Sequence, residues 1–289
     1  MKIVLFLIVF LFNGLMINAQ ISFSQLEEEL AMYNDYSINA DSYNHREVAH
    51  KKFISLFEVA LNRANSFKYP FDSLKWVSKV VAPDSSFRIF TWQLTKSFAK
   101  RDYFGLIQKR DGVVFKLVGN IDNRSDLEYS SYTEDDWIGQ IYYNIHKYKK
   151  GEYILFGYKL VGEMDKIKMA TPAYFENNHV NFGKEIFEDT TGLGDRKSII
   201  TLKTSSNAAS SMHYDEDKKM IVYDHTVVLM LPDRRGKLRP FNVPDGSYHG
   251  YKWNGMVWRF VDKVYTRKLD HAPVYDSRKK PKKGLFGNK

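Results

Sequence analysis

The sequence predicts a mainly β protein, α+β overall, in which N-terminal helices precede an antiparallel meander of hairpins. From Phe71 onward, short apolar and aromatic runs alternate with turn residues roughly every eight to twelve positions, which is the pattern of antiparallel sheet. Before that point, apolar residues recur at the three-four spacing of amphipathic helices. We expect the meander to close as a small propeller or barrel, or to fold over as a sandwich.

Two helices are predicted in the N-terminal part. Ser24 and Glu27 have the spacing of a capping box, in which each side chain satisfies a free backbone donor of the first turn. The second helix runs from about His45 to Ala64. Its apolar stripe indicates a face that packs against a sheet or another helix. That stripe consists of Phe53, Leu56, Phe57, Ala60, Leu61 and Ala64.

Five pairs of apolar runs flank short turns and predict five hairpins. The turns are residues 82–86, 110–112, 149–151, 215–218 and 254–255. The last of them, Asn254-Gly255, is the strongest hairpin signal because both residues tolerate positive φ. A two-residue turn at this point would pair Trp253 with Met256 and Tyr251 with Trp258.

The last hairpin also contains the candidate binding residues, Tyr251, Trp253 and Trp258. Aromatic side chains favour strands and pair across them, so we interpret these three as part of the core. The alternative is an exposed aromatic platform for a glycan or a peptide. With a two-residue turn, alternation places all three on one face together with Met256, and burial of that face decides between the two interpretations.

The rest of the sequence contains no motif that predicts catalysis. It has no zinc-protease spacing of histidines, no phosphate loop and no Gly-x-Ser-x-Gly elbow, so we predict no catalytic residue, no cofactor and no metal. His213, Asp224 and His225 share one predicted hairpin, but we expect His213 opposite Met220, away from His225. The acidic clusters at residues 134–136 and 215–217 indicate solvated turns and not calcium loops.

The first twenty residues predict export. Ile3 to Phe12 is an unbroken apolar run after Lys2, and Ala19 is placed to be the last residue removed. This is the pattern of a secretory signal peptide, and the run is shorter than the roughly 20 residues that span a bilayer. We therefore divide the chain into a signal peptide (1–19), a helical segment (20–70), an antiparallel β domain (71–266) and a basic tail (267–289).

Charge and cysteine content limit the partners and the compartment. The net charge is +9, but residues 278–289 carry six positive charges and no negative one, and Lys2 carries another. The body is therefore nearly neutral, which argues against nucleic-acid binding. We expect the tail to be disordered and interpret it as a solubilising end. The alternative is a contact with anionic lipid, lipopolysaccharide or an acidic partner. The chain has no cysteine, so an exported form relies on its apolar core and not on disulfides.

Six segments cover most of the chain from Phe71 to Val264. In order, they are FDSLKWVSKVVAPDSSFRIFTWQ, WIGQIYYNI, YILFGYKL, NFGKEIF, MHYDEDKKMIVYDH and VPDGSYHGYKWNGMVWRFVDKV. Their order resembles a group of exported, β-rich Bacteroidota proteins that have no established function. The resemblance implies an envelope or secreted location and a shared β-rich fold, but no activity. The chain departs from the group at residues 157–161, Gly-Tyr-Lys-Leu-Val, where relatives tend to have Gly-Trp-Asp-Gly-Asn.

These observations favour a non-enzymatic binding or structural module located in the periplasm, at the outer-membrane surface or outside the cell. Its partner would be a glycan, a peptide or another envelope component. The alternative is a secreted hydrolase that acts on glycans or peptides through a site built from separated loops.

The signal peptide gives a direct prediction. Intact-mass analysis of the protein from its native source should show a chain that begins at Gln20 or within a few residues of it, because signal peptidase cuts after small residues such as Ala19. A mature chain that still begins at Met1 would contradict export by this route.

Overall fold

The computed structural model describes residues 21–119, 126–189, 196–232 and 236–265. The predicted signal peptide and the whole of the predicted basic tail lie outside the described residues. Two N-terminal helices are followed by antiparallel sheets, so the mainly β class with α+β organisation is confirmed. The described strands form no closed barrel. Their sheets stack face to face as in a sandwich.

Helix α1 spans Phe23–Asn39 and helix α2 spans Tyr43–Leu61. The capping box of α1 uses Ser22 and Gln25, so the predicted Ser24–Glu27 box is wrong. Glu27 is unavailable for capping because its side chain is buried and bound elsewhere. It accepts hydrogen bonds from the Tyr69 hydroxyl at 2.5 Å and from a backbone amide. No helix in the described part of the chain has the length and apolar character needed to cross a membrane.

Three sheets follow the helices, and each sheet has its own strand order. The first sheet has the order β1-β2-β3-β4 and consists of β1 (Ser78–Val81), β2 (Phe87–Thr95), β3 (Arg101–Lys109) and β4 (Val114–Leu117). The second has the order β5-β9-β8-β7-β6, with β12 also beside β8, and consists of β5 (Tyr132–Thr133), β6 (Ile141–Lys149), β7 (Glu152–Val161), β8 (Asp165–Glu176), β9 (His179–Phe182) and β12 (Ile200–Ser205). The third has the order β11-β10-β16-β15-β14-β13 and consists of β10 (Phe187–Glu188), β11 (Arg196–Lys197), β13 (Met212–Asp215), β14 (Met220–Pro232), β15 (Leu238–Trp253) and β16 (Trp258–Val261).

The helices and sheets form four layers with a separate apolar core at each of the three interfaces. Strand β2 directs Phe90 and Trp92 toward the helices and Phe87 toward the second sheet. Strand β7 directs Leu155 toward the first sheet and Phe156 toward the third. The order of the layers is therefore helices, first sheet, second sheet, third sheet.

All five predicted hairpins are formed. The predicted register of the last one is wrong: Trp253 lies opposite Trp258, and Tyr251 lies opposite Phe260. The connection has four residues because the Asn254 side chain accepts hydrogen bonds from the amides of Met256 and Val257, both at 2.9 Å. Met256 therefore lies in the loop, 78 % exposed, and does not belong to the aromatic face.

Trp258 gives a stability prediction for this hairpin. Its side chain is fully buried between the second and third sheets, so Trp258→Ala should lower the free energy of unfolding by roughly 3–5 kcal/mol. Urea unfolding measures the difference, and Met256→Ala in the same hairpin is the matched control, with an expected change below about 0.5 kcal/mol. A loss below about 1 kcal/mol for Trp258→Ala would overturn the core assignment.

His50 gives a prediction of pH dependence. It is buried on α2 and accepts a 2.8 Å hydrogen bond from Trp92 Nε1, and burial lowers its pKa from 6.5 to about 4. Between these values the unfolded chain binds a proton that the folded chain does not, so stability falls as pH drops through this window. From pH 7 to pH 5 the protein should lose about 2 kcal/mol more than His50→Gln, as measured by urea unfolding at both pH values. Equal losses in the two proteins would contradict the shift.

Candidate functional site

The candidate binding residues of the last hairpin lie mostly inside the protein. Trp258 and Tyr251 are buried, and only Trp253 keeps part of its surface exposed. The Tyr251 hydroxyl donates a 2.9 Å hydrogen bond to Asp189, and burial raises the pKa of Tyr251 far above its ordinary value. A glycan or a peptide could therefore reach Trp253 but not the other two aromatic side chains, which agrees with the interpretation of this hairpin as core.

His213 and Asp224 both contact Ser211, whereas His225 contacts Asp245. His213 pairs with Val222 across the hairpin, so the predicted pairing with Met220 is wrong, and its ring lies 3.0 Å from the Ser211 hydroxyl. Asp224 accepts a hydrogen bond from the Ser211 amide. His225 Nδ1 lies 2.8 Å from a carboxylate oxygen of Asp245. The three residues do not converge on one point that could hold a metal.

A different cluster forms where β5 pairs with β9. Glu134 is buried, with one carboxylate oxygen 2.8 Å from His179 Nδ1 and the other accepting from the Val180 amide at 3.0 Å. Glu134, Asp135 and His179 place one potential ligand atom each within 4.8 Å of one another. They are the single such group of three within the described residues, and they could contribute ligands to a divalent cation. The prediction of a solvated turn is wrong for Glu134.

A cavity of about 360 Å³ adjoins this cluster. Its lining combines hydroxyl, carboxylate and amide groups with two tyrosines, so it offers hydrogen bonds to a small polar molecule. Asp136 is already held in the turn, because one of its oxygens accepts from the Thr133 amide at 2.7 Å. The lining residues are Ser131, Tyr132, Thr133, Asp135, Asp136, Tyr174 and Asn181.

The outer part of the β14–β15 hairpin, residues 226–232 and 238–244, exposes a run of apolar side chains, and we call it the arm. Strand β13 pairs with β14 only as far as Tyr223, and β16 pairs with β15 only from Gly250. The arm therefore has no flanking strand from the third sheet. Its exposed large apolar side chains are Val228, Leu229, Met230, Leu231 and Leu238.

Both faces of the arm are apolar. Leu229 lies opposite Phe241 on one face, and Met230 lies opposite Pro240 on the other. An ordinary surface hairpin alternates apolar and polar residues because one of its faces meets water. The arm lacks this alternation, and Val228 and Met230 remain 60 % and 57 % exposed.

The two edges of the arm differ in their capacity to pair. Pro240 lies opposite Met230 and Pro244 lies opposite Thr226. A proline has no N–H with which to form a hydrogen bond between strands, so both pairs are non-hydrogen-bonded pairs. In such a pair, the backbone groups of the two residues point away from the hairpin. The outer edge of β15 therefore lacks two of its donors, whereas the outer edge of β14 offers the N–H and C=O groups of Thr226, Val228 and Met230.

The arm joins the body at an irregular step in the pairing. The register shifts between Asp224 and Thr226, and His225 bonds Asp245 there. The five hairpins predicted from the sequence do not include the arm. The available signal was a second pair of apolar runs, TVVLML and LRPFNVP, on either side of a polar, glycine-containing segment.

Comparisons with models of known protein families, with curated proteins and with solved structures give no match for this chain. The function is therefore argued from the geometry of the described residues.

Proposed function

We propose that the protein is an exported, envelope- or surface-associated binding module without enzymatic activity, and that the arm is its docking element. The observation that carries the proposal is the arm itself, a hairpin with two apolar faces and an unpaired β14 edge. Its partner is an envelope component, and the basic tail adds an attraction to anionic surfaces.

The energetics of the arm support a docking role. A two-stranded ribbon is marginally stable in water, and stability rises when a further strand or layer covers it. Contiguous exposed apolar surface of this kind marks interaction sites in soluble proteins. A partner strand along β14 would satisfy the free backbone groups of Val228 and Met230 and would cover part of their side chains at the same time.

The export part of the proposal rests on the sequence. The predicted signal peptide directs the chain across a membrane, and the absence of cysteine makes its folding independent of an oxidising compartment. The candidate compartments are the periplasm, the outer-membrane surface and the medium. The arm favours the first two, because an apolar docking element retains the protein where its partner lies.

The proposal predicts that the arm holds the protein at the envelope. Val228→Lys/Met230→Lys places two charges on the exposed β14 edge, and it should reduce the envelope-associated fraction by about tenfold, which corresponds to about 1.4 kcal/mol of binding free energy. The measurement is quantitative immunodetection of the protein in sedimented envelopes and in the soluble fraction of source cells.

The matched control is Val48→Lys/Val59→Lys. It makes the same changes at two exposed apolar positions of α2, which are 62 % and 57 % exposed. The control should keep the association of the unmodified protein. Equal loss in both variants would indicate general apolar adhesion, and unchanged association in the arm variant would overturn the docking role.

A further inference from the structure

We propose that the strand which covers the arm is the arm of a second copy of this chain. The two β14 edges would pair antiparallel about a two-fold axis and form a four-stranded ribbon in the order β15-β14-β14-β15. This inference rests on the proposed docking role: the second copy occupies the β14 edge, and the apolar faces of the paired arms remain available to the envelope component.

The β14 edge is self-complementary over its free length. Antiparallel pairing of residues 226–232 with the same residues of a second copy places Leu229 opposite itself, Val228 opposite Met230, and Val227 opposite Leu231. Apolar side chains then meet apolar side chains on both faces. This register uses every residue of the free edge, and it aligns the outward backbone groups of Val228 and Met230 with one another.

The prolines of β15 limit the assembly to two copies. Each arm has one edge that can pair, and that edge is used up at the two-fold axis. The other edge carries Pro240 and Pro244, which block further strand addition. A dimer therefore closes, whereas a ribbon open on both edges would continue into a fibre.

The charges near the β14–β15 connection favour the antiparallel arrangement. Arg234, Arg235, Lys237 and Arg239 carry four positive charges against one negative charge on Asp233. Antiparallel pairing over seven residues places the Pro232 ends of the two arms about 20 Å apart, well beyond the Debye length of roughly 8 Å at physiological salt. Parallel pairing would bring the two basic groups together.

Insertion of a single arm into a membrane is the main alternative. The basic residues would be attracted to anionic lipid headgroups. However, unpaired backbone N–H and C=O groups are not tolerated in hydrocarbon, and the β14 edge presents several. Edge pairing satisfies these groups directly, so the geometry favours a second copy over lipid.

Cysteine crosslinking tests the proposed register. The natural chain contains no cysteine, so a single engineered cysteine can form a disulfide only with the same cysteine of a second copy. In the proposed register, Leu229 and Leu229 of the second copy form a non-hydrogen-bonded pair. The Cα atoms of such a pair lie about 4.5 Å apart, within reach of a disulfide. Leu229→Cys should therefore give a disulfide-linked dimer under mild oxidation, whereas Asn242→Cys, about 14 Å from its copy, should stay unlinked.

Sedimentation velocity of the unmodified chain should give the mass of two chains, and Val228→Lys/Met230→Lys should give the mass of one. Both substituted side chains are exposed, so the variant should fold, and circular dichroism verifies this. A monomeric natural chain, or crosslinking at position 242 instead of 229, would overturn the self-pairing.

These experiments distinguish a failure of self-pairing from a failure of the docking role. If the natural chain is monomeric but the arm variant still loses envelope association, the arm binds another partner and only the present inference is wrong. Arm-dependent binding of a monomeric chain to vesicles of anionic phosphatidylglycerol would identify lipid as that partner and would likewise overturn self-pairing.

Discussion

The layered structure depends on two strands, β2 and β7, that are buried on both faces. Strand β2 contacts the helices and the second sheet, and β7 contacts the first and third sheets. A strand in this position needs apolar side chains at consecutive positions instead of alternate ones. Tyr153 to Phe156 of β7 meet that need, and so do Ile89 and Phe90 of β2. The buried polar residues of β2, Arg88 and Thr91, are hydrogen-bonded instead. The layers are thereby ordered by residues that are close together in the sequence.

Polar contacts between the layers fix how they are aligned. The Tyr142 amide donates a 3.0 Å hydrogen bond to Thr91 Oγ1, and Ser78 donates to the Tyr142 carbonyl, so both backbone groups of Tyr142 bind the second sheet to the first. On the other face of the first sheet, buried Arg88 donates to Gln108 and to the carbonyls of Tyr69 and Ser66. A buried guanidinium without such partners would be costly, so these contacts hold the helical layer in one position on the sheet.

The exposure of the arm follows from the same layering. The third sheet is covered by the second through Tyr251 and Trp258, which belong to the core between them. Beyond the irregular step at His225, no other strand of the described residues lies beside β14 and β15. The packing of the described residues therefore does not account for the apolar composition of the arm, and this is the observation behind the proposed docking role.

Local sequence signals predict the hairpins, whereas tertiary packing determines the registers and long-range contacts that these signals do not predict. Turn residues separated strands correctly at all five predicted hairpins, because each turn is encoded by its own neighbours. The register predicted for the turn at Asn254 was wrong. A hydrogen bond to the Asn254 side chain and the burial of Val257 favour a four-residue connection instead. The contact of Glu134 with His179 joins residues 45 positions apart, and nothing in the sequence near either residue indicates it.

The two edges of the arm differ in their protection against pairing with other strands. Proteins usually protect free strand edges with proline, charge or a bulge, because an open edge recruits other chains. Strand β15 has this protection at Pro240 and Pro244, whereas β14 has a proline only at its end, Pro232. In this hairpin, prolines therefore protect the outer edge of β15 against strand pairing, and the outer edge of β14 is left open before Pro232. An edge left open beside a blocked one, and flanked by exposed Val228 and Met230, is what a strand that pairs with a partner requires.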